Sequence, residues 1–357
     1  MFIHFCIIIL IMNKTKNTLF SDKPITLNEN SYIMAIESSC DETACAIVQG
    51  GRKVVSNVVA SQIKTHEQFG GVIPEIAARE HLEAINVVID KAFKEANLTP
   101  DDIDAFAGTV GPGLVGCLLV GLNATKTLAL VHDKPFIGVN HLNAHVSANF
   151  IDTDLEPPFI ALLVSGGHTQ IIDVKSYSEL EIIGETIDDA VGEAYDKVAR
   201  LIGLPYPGGP RLDKLAQEGN PNAFKLPEAK VGEFDFSFSG LKTAASRLVK
   251  SFDGKDLPLE DICASFQECV SETLIKKVKH ALEVKGYNQV VIAGGVAANS
   301  EIRRKVFELE QEGYRVNAPI MKYCTDNASM VASSAFFFDN TFDNIDVEVF
   351  SRVKNIN

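Results

Sequence analysis

The chain reads as an α/β protein of two lobes, each built on a mixed sheet, facing each other across a cleft. Three observations predict that class. The plan of strand, polar turn, strand and strand occurs twice, first over residues 32–36, 37–43, 44–49 and 54–61, then over 159–164, 165–169, 170–174 and 180–183. Such a recurrence marks a duplicated unit. Each copy is followed by alternating helical and strand patterns, the signature of helices packed on a sheet. Finally, 357 residues with 46% hydrophobic side chains can fill two domain cores.

Taken in order, residues 1–31 form an N-terminal extension. Its apolar run, 5–12, has no preceding Lys or Arg and no small-residue cleavage site, and is too short to span a bilayer. It reads as an upstream extension or a start placed too early. The first lobe, 32–157, continues with a helix over 74–96, where Ile76, Leu82, Ile85, Ile89 and Phe93 keep helical spacing. A strand over 103–110, a helix over 114–131, a strand over 136–139 and a short helix with two histidines complete it. In the second lobe, 158–340, a helix is expected over 188–201 and a loop region to 241. Helices over 259–284 and 299–311, strands over 289–293 and 315–318 and an apolar helix over 328–338 follow, then a tail over 341–357.

Composition narrows the chemistry. A net charge of −14 gives no global attraction to nucleic acid, so a polynucleotide partner must be met by a local basic patch or through another subunit. Seven irregularly spaced cysteines form neither a CxxC zinc pattern nor an even disulfide framework, and fit a reducing compartment.

His141 and His145, four apart on a helical pattern, lie on one face and can share an ion. The third ligand is sought at Asp326, which precedes the last helix; two histidines and one carboxylate leave coordination positions open for chemistry. Read structurally instead, one histidine is a surface residue and the other a satisfied core residue. The turn at Ser165, Gly166 and Gly167 offers backbone N–H groups to an anion, against the plain reading of a glycine hairpin. Gly111, Gly113 and Gly116 match GxGxxG, but the strand before them is not the first of its unit and Asp133 precedes Pro135 instead of closing a strand, which argues against a dinucleotide site. Asp196 is a candidate acceptor for ribose hydroxyls, the Gly208–Gly209 and Gly294–Gly295 pairs for close approach of a base or sugar, and Asn299 for an adenine edge. The structural alternative makes Asp196 an i,i+4 partner of Arg200.

Several segments together resemble one family: Glu37-Ser-Ser-Cys-Asp-Glu-Thr43, the His66 to Glu75 stretch, Gly138-Val-Asn-His-Leu-Asn-Ala-His145, Val164-Ser-Gly-Gly-His-Thr169, Tyr206-Pro-Gly-Gly-Pro210, Phe236-Ser-Phe-Ser-Gly-Leu-Lys-Thr243, Ala293-Gly-Gly-Val-Ala-Ala-Asn299 and Cys324-Thr-Asp-Asn327. They are similar, in order and over roughly 33–338, to the bacterial TsaD family of tRNA threonylcarbamoyladenosine transferases. The resemblance implies the two-lobed actin-like ATPase (ASKHA) fold, with duplicated RNase H-like α/β lobes around a central cleft. It implies transfer of a threonylcarbamoyl group from threonylcarbamoyl-AMP to N6 of the adenosine 3′ of the anticodon, position 37, in tRNAs reading ANN codons. It further implies one divalent metal, iron(II) ahead of zinc(II), on His141, His145 and Asp326. Leu163, Val164, Ser165, Gly166, Gly167, Asp196, Gly209, Asp213 and Asn299 would bind the adenylate.

The resemblance also implies a TsaB-like paralogue, a TsaE-like ATPase and tRNA as partners, a cytoplasmic location and no membrane. Asp41 and Glu42 match the family's first-lobe turn, and a carboxylate such as Asp41 is a candidate to take the amine proton. Two other classes compete. A metal-dependent glycoprotease would want a glutamate after the first histidine, where Leu142 stands. Another ATPase of the same fold would explain the nucleotide pocket and the doubled unit, but not the two-histidine face.

Overall fold

The computed structural model describes residues 26–253, 256–339 and 341–352. The expected extension falls mostly outside the described residues. Two five-stranded sheets carry the fold. In the first, β1 (Tyr32–Glu37) is central, antiparallel to β2 (Glu42–Gln49) and parallel to β4 (Ala105–Gly111). β3 (Lys53–Ser61) and β5 (Phe136–Asn140) form the edges, giving the order β3-β2-β1-β4-β5. In the second, β6 (Phe159–Val164) takes the place of β1, between antiparallel β7 (Thr169–Ser176) and parallel β9 (Gln289–Ala293). With β8 (Glu179–Glu185) and β10 (Arg315–Asn317) at the edges, the order is β10-β9-β6-β7-β8, which is the first order reversed in listing and identical in connectivity. The duplication seen in the sequence is therefore one of topology, and this repeated order is that of the actin-like ATPase fold.

Contacts divide the chain into two units. Of the described residues, unit 1 holds those up to Ala60, Pro74–Ala144 and those from Asn327; unit 2 holds Ser61–Ile73 and those within His145–Asp326. The expected spans 32–157 and 158–340 follow the chain, whereas packing divides it elsewhere. The short helix α1 (Ile63–Glu67) belongs with unit 2, where Arg211 meets Glu67 and Arg200 donates to the Gly70 carbonyl.

Unit 1 layers its sheet between helices. Met34, Ile36, Cys45 and Ile47 share a core with Ile85 and Val88 of α2 (Pro74–Ala96) and Leu122 of α3 (Val115–Val131). Alternate strand residues point to the other face. There Ala44 and Ala46 meet Ala328 at the start of α10, which runs Ala328–Phe337 and is capped by the Asn327 side chain on Met330 N–H. The expected tail is packed onto this unit: Phe350 N–H bonds Val110 O, Asp343 N–H bonds Phe136 O, and Val347, Val349 and Phe350 cover the core. The helix α4 (His141–Ser147) follows β5 directly.

The core of unit 2 joins its sheet to α5 (Val191–Leu201), α6 (Gly208–Ala216), α7 (Ser239–Ser251), α8 (Leu259–Lys285) and α9 (Ser300–Glu308). α6 stands where the sequence suggested a loop, α7 lies in a stretch given no element beyond Leu241, and α9 stops at Glu308 instead of running to 311. The described cysteines are all free thiols, with Cys45, Cys117, Cys263 and Cys324 buried as small apolar groups. Burial pushes the Cys117 and Cys269 thiols up to about 11, far from a reactive thiolate.

Candidate active site

Unit 2 contains a cavity of about 420 Å³, a size suited to one small ligand. Gly166, Asp196, Gly209, Asp213 and Asn299 line it together with Tyr195, Gly295 and Val296. Five of the nine residues singled out for substrate thus converge. Gly166 and Gly167 have open space where a side chain would stand, and Gly295 likewise, so the backbone is bare to a ligand there.

Asp196 extends from α5 to the start of α6. Its Oδ1 accepts the N–H groups of Gly208 at 2.9 Å and Gly209 at 3.1 Å, two of the unpaired donors at a helix start. No Asp196–Arg200 ion pair forms among the described residues; Arg200 donates to Gly70 O instead. Burial raises the Asp196 carboxyl above its ordinary value, with the two amides working in the opposite sense. Gly208 is glycine for packing, since a Cβ there would come within 2.4 Å of the Ala199 Cβ, whereas Gly209 faces the cavity.

Three expectations are revised. Ser165 N–H bonds His168 O and Gly167 N–H bonds Ser165 Oγ, so of the three amides in that turn only Gly166 N–H has no partner among the described residues. The cradle for an anion is narrower than the glycine pair suggested. Asn299 is spent on the fold: its Oδ1 caps α9 on Ile302 N–H and its Nδ2 donates to Gln267 Oε1, leaving one N–H for an adenine edge. Leu163 and Val164 are fully buried on β6, away from the lining, so only their backbone can serve a ligand. Asp213 accepts from Ser300 N–H and Oγ, tying α6 to the start of α9.

The metal-ligand candidates fit an ion. His141 and His145 lie one turn apart on α4, and His145 Nε2 is 3.1 Å from Asp326 Oδ1. One ligand atom from each of the three lies within 4.8 Å of the others, and two imidazoles with a carboxylate are a donor set suited to iron or zinc. His141 Nδ1 faces Glu37 Oε2 at 3.2 Å and Ser39 Oγ at 3.3 Å, so its other nitrogen, Nε2, is the one an ion would use. Glu37 is the residue the sequence reading missed. It ends the apolar strand β1, is fully buried, and also accepts from Ser39 N–H and Thr109 Oγ1, the arrangement by which an outer carboxylate fixes a ligand histidine. A carboxylate inside an otherwise apolar strand was the available signal.

Asp41 lies in the β1–β2 turn of unit 1, and Glu42 opens β2. His81 of α2 fixes that turn. Its Nε2 donates to Cys40 O at 3.0 Å, so Nδ1 is the acceptor for the Thr43 hydroxyl at 2.7 Å, and burial keeps the ring neutral by lowering its pKa. The GxGxxG glycines have a local explanation. A Cβ on Gly111 would meet Phe350 O at 2.2 Å, and one on Gly113 would meet Ser39 O at 2.7 Å.

A family model described as TsaD, tRNA N6-adenosine threonylcarbamoyltransferase, matches residues 53–333. A protein of that name from Clostridium botulinum is 52% identical over 317 residues, covering 87% of this chain and 93% of its own length. One from Clostridium perfringens is 52% identical over 315 residues, with the same coverage. Among solved structures, full-length HypF in a phosphate- and nucleotide-bound form superposes with a TM-score of 0.60 at 16% identity, covering 89% of this chain and 48% of that one, a likeness of fold alone.

Proposed function

The chain belongs to the TsaD family, the tRNA N6-adenosine threonylcarbamoyltransferases, and from that premise we propose that the cavity of unit 2 receives the adenylate end of threonylcarbamoyl-AMP. The chain is a transferase that places a threonylcarbamoyl group on N6 of adenosine in tRNA, forming t6A. In the finer reading the acceptor is the adenosine at position 37, 3′ of the anticodon, in tRNAs reading ANN codons, and AMP is released.

The exocyclic amine is a poor nucleophile, while the mixed carbamoyl-phosphate anhydride is already activated. In the transfer, the N6–C bond forms, the C–O bond to the phosphate breaks, AMP leaves with the bonding pair and the amine proton passes to a base. The protein therefore contributes mainly position and charge stabilisation. Asp196 accepts from ribose hydroxyls through the oxygen not given to Gly208 and Gly209. Gly209 and Gly295 let the nucleoside lie against backbone, and the Gly166 amide meets the phosphate. Asp41, held in its turn by the His81 and Thr43 clamp, takes the amine proton.

His141, His145 and Asp326 would hold one divalent ion, iron(II) or zinc(II), with Glu37 orienting His141. When bound, the ion supplies Lewis-acid stabilisation of developing negative charge. A smaller TsaB-like paralogue and a TsaE-like ATPase complete the working assembly, in the cytoplasm where tRNA is found; among the described residues no helix is long and apolar enough to cross a membrane.

The observation that carries the adenylate reading is the convergence of Gly166, Asp196, Gly209, Asp213 and Asn299 on one cavity. The test is reconstitution with threonylcarbamoyl-AMP, an ANN-reading tRNA transcript and the two partner proteins, following AMP release and t6A by nucleoside mass spectrometry. Glycoprotein cleavage or sugar-dependent ADP release without any t6A would overturn it.

A further inference from the structure

Helix α7 stands apart from the rest of this acidic chain. It carries Lys242, Arg247 and Lys250, all exposed, and no carboxylate occurs between Asp235 and Asp253. Acidic residues outnumber Lys and Arg by 47 to 33 over the whole sequence. The other described helices with three or more Lys and Arg, which are α2, α8 and α9, intersperse them with Asp and Glu. Most of their cations sit in ion pairs such as Lys94–Asp90, Lys276–Glu228 and Arg304–Glu301. Among the described residues no ion pair includes Lys242, Arg247 or Lys250.

At 3.6 residues per turn the three cations fall within about 140° of arc and span about 12 Å of axis. Leu241 and Ala245, the buried residues of the helix, lie nearly opposite and join the unit 2 core. The cations therefore share the outward face. The start of α7 is tied to the substrate turn by a short chain of bonds. Asp188 accepts from Phe238 N–H at 2.8 Å and from the Ser237 and Ser239 hydroxyls, Ile187 N–H bonds Phe236 O, and Thr186 N–H bonds Thr169 O at the end of the Ser165–Thr169 turn.

We propose that the outward face of α7 is a docking surface for the phosphate backbone of tRNA. This rests on the function proposed above, which supplies the polyanion; the charge pattern and the tether to the substrate turn supply the place. A net-negative protein repels nucleic acid at long range, so association needs a local stretch where unpaired cations are not cancelled by neighbouring carboxylates. Backbone contacts of this kind set register and affinity without reading sequence, leaving the choice of nucleotide to the site itself.

The test uses the full-length protein with its partner proteins and an unmodified ANN-reading tRNA transcript, comparing wild type with Lys242→Glu/Arg247→Glu/Lys250→Glu. A second triple, Lys53→Glu/Lys64→Glu/Lys276→Glu, alters exposed lysines elsewhere and matches the change in net charge. Binding is measured over a series of KCl concentrations, beside melting temperature and AMP affinity. The α7 variant is expected to bind tRNA at least about tenfold more weakly, with a slope of log K against log salt shallower by about 2, as for three lost phosphate contacts. Its melting temperature and AMP affinity should match wild type, and the second triple should keep the wild-type slope. The neutral triple Lys242→Gln/Arg247→Gln/Lys250→Gln should show the same change of slope. An unchanged slope in the α7 variants, or an equal loss in the second triple, overturns the docking surface while leaving the transferase reading intact. Failure of the wild type to form t6A overturns the transferase reading instead.

Discussion

Replacing Asp196 by Asn separates binding from folding more cleanly than any other change in the cavity. The amide is the same size and its oxygen can still accept from Gly208 and Gly209, which Asp196 now holds at 2.9 and 3.1 Å. Losing charge assistance costs about 1 kcal/mol per bond, roughly 2 kcal/mol for the pair. Against that, the carboxylate is partly desolvated, and burial is the main cause of its raised pKa. Removing the charge relieves that cost, so the melting temperature at pH 7 should move by no more than a few degrees. A carboxyl whose pKa is higher folded than unfolded binds more protons in the native state within the window just above 3.8. Its stability contribution is therefore lost as pH rises through that window, and the Asn variant should lack this slope. Ligand binding has no such compensation. Exchanging a charged acceptor for a neutral amide at a ribose hydroxyl should weaken AMP binding by about 1 to 3 kcal/mol, or about 5- to 150-fold. Calorimetry with AMP and melting from pH 4 to 7 read both effects. Unchanged AMP affinity with a melting temperature lowered by ten degrees or more would refute the reasoning and make Asp196 a helix cap only.

Other outcomes follow from the same structure. His145→Ala and Asp326→Ala should each empty the metal site, and the double variant should bind no less than either single one, as expected for residues acting as a unit; elemental analysis showing full metal in Asp326→Ala would remove the carboxylate from the ligand set. Glu37→Gln leaves the ligands in place but weakens the hold on His141 Nδ1, so metal affinity should fall by about 10- to 100-fold in a chelator competition, with the melting temperature of the metal-free protein as control. Burial lifts the Asp339 carboxyl to about 6 against the hydrogen bonds from Ser334 and Asn143. Stability should accordingly decline between about pH 4 and 6, and Asp339→Asn should flatten that decline and gain up to about 3 kcal/mol at pH 7 in urea melts.

The sheets were legible because strand, turn and strand recur with the same polar turn, and because β1 and β6 read as apolar runs. The helices α6 and α7 were not, and for one shared reason. α6 opens on Gly208 and Gly209 after Pro207, and α7 follows Phe238, so neither has a capping side chain of its own at the start. Their first N–H groups are satisfied from a distance, by Asp196 on α5 and by Asp188, 50 residues upstream of Phe238. Start signals in sequence are local, and a cap delivered by the tertiary fold leaves no trace beside the helix it serves. Asn299 shows the converse: it was noticed for what it could offer a base, and the fold had already engaged both ends of its amide. Of the five residues that converge on the cavity, Gly166, Asp196, Gly209 and Asn299 were marked by their chemistry and Asp213 by the family resemblance alone; spacing by itself cannot bring Gly166 next to Asn299.

The packing of α10 against β1 and β2 has a consequence in time. The strands it covers are among the first to leave the ribosome, yet Ala328 is made 184 residues after Ala144, the end of the earlier part of the same unit. At about 5 to 20 residues per second that interval is roughly 10 to 40 seconds. For that period one face of the first sheet, alanines and all, stands bare while synthesis continues, long enough for an unsatisfied surface to meet another nascent chain. Growing chains stalled short of Asn327 should therefore be clients of holding chaperones, and chains released with α10 intact should not.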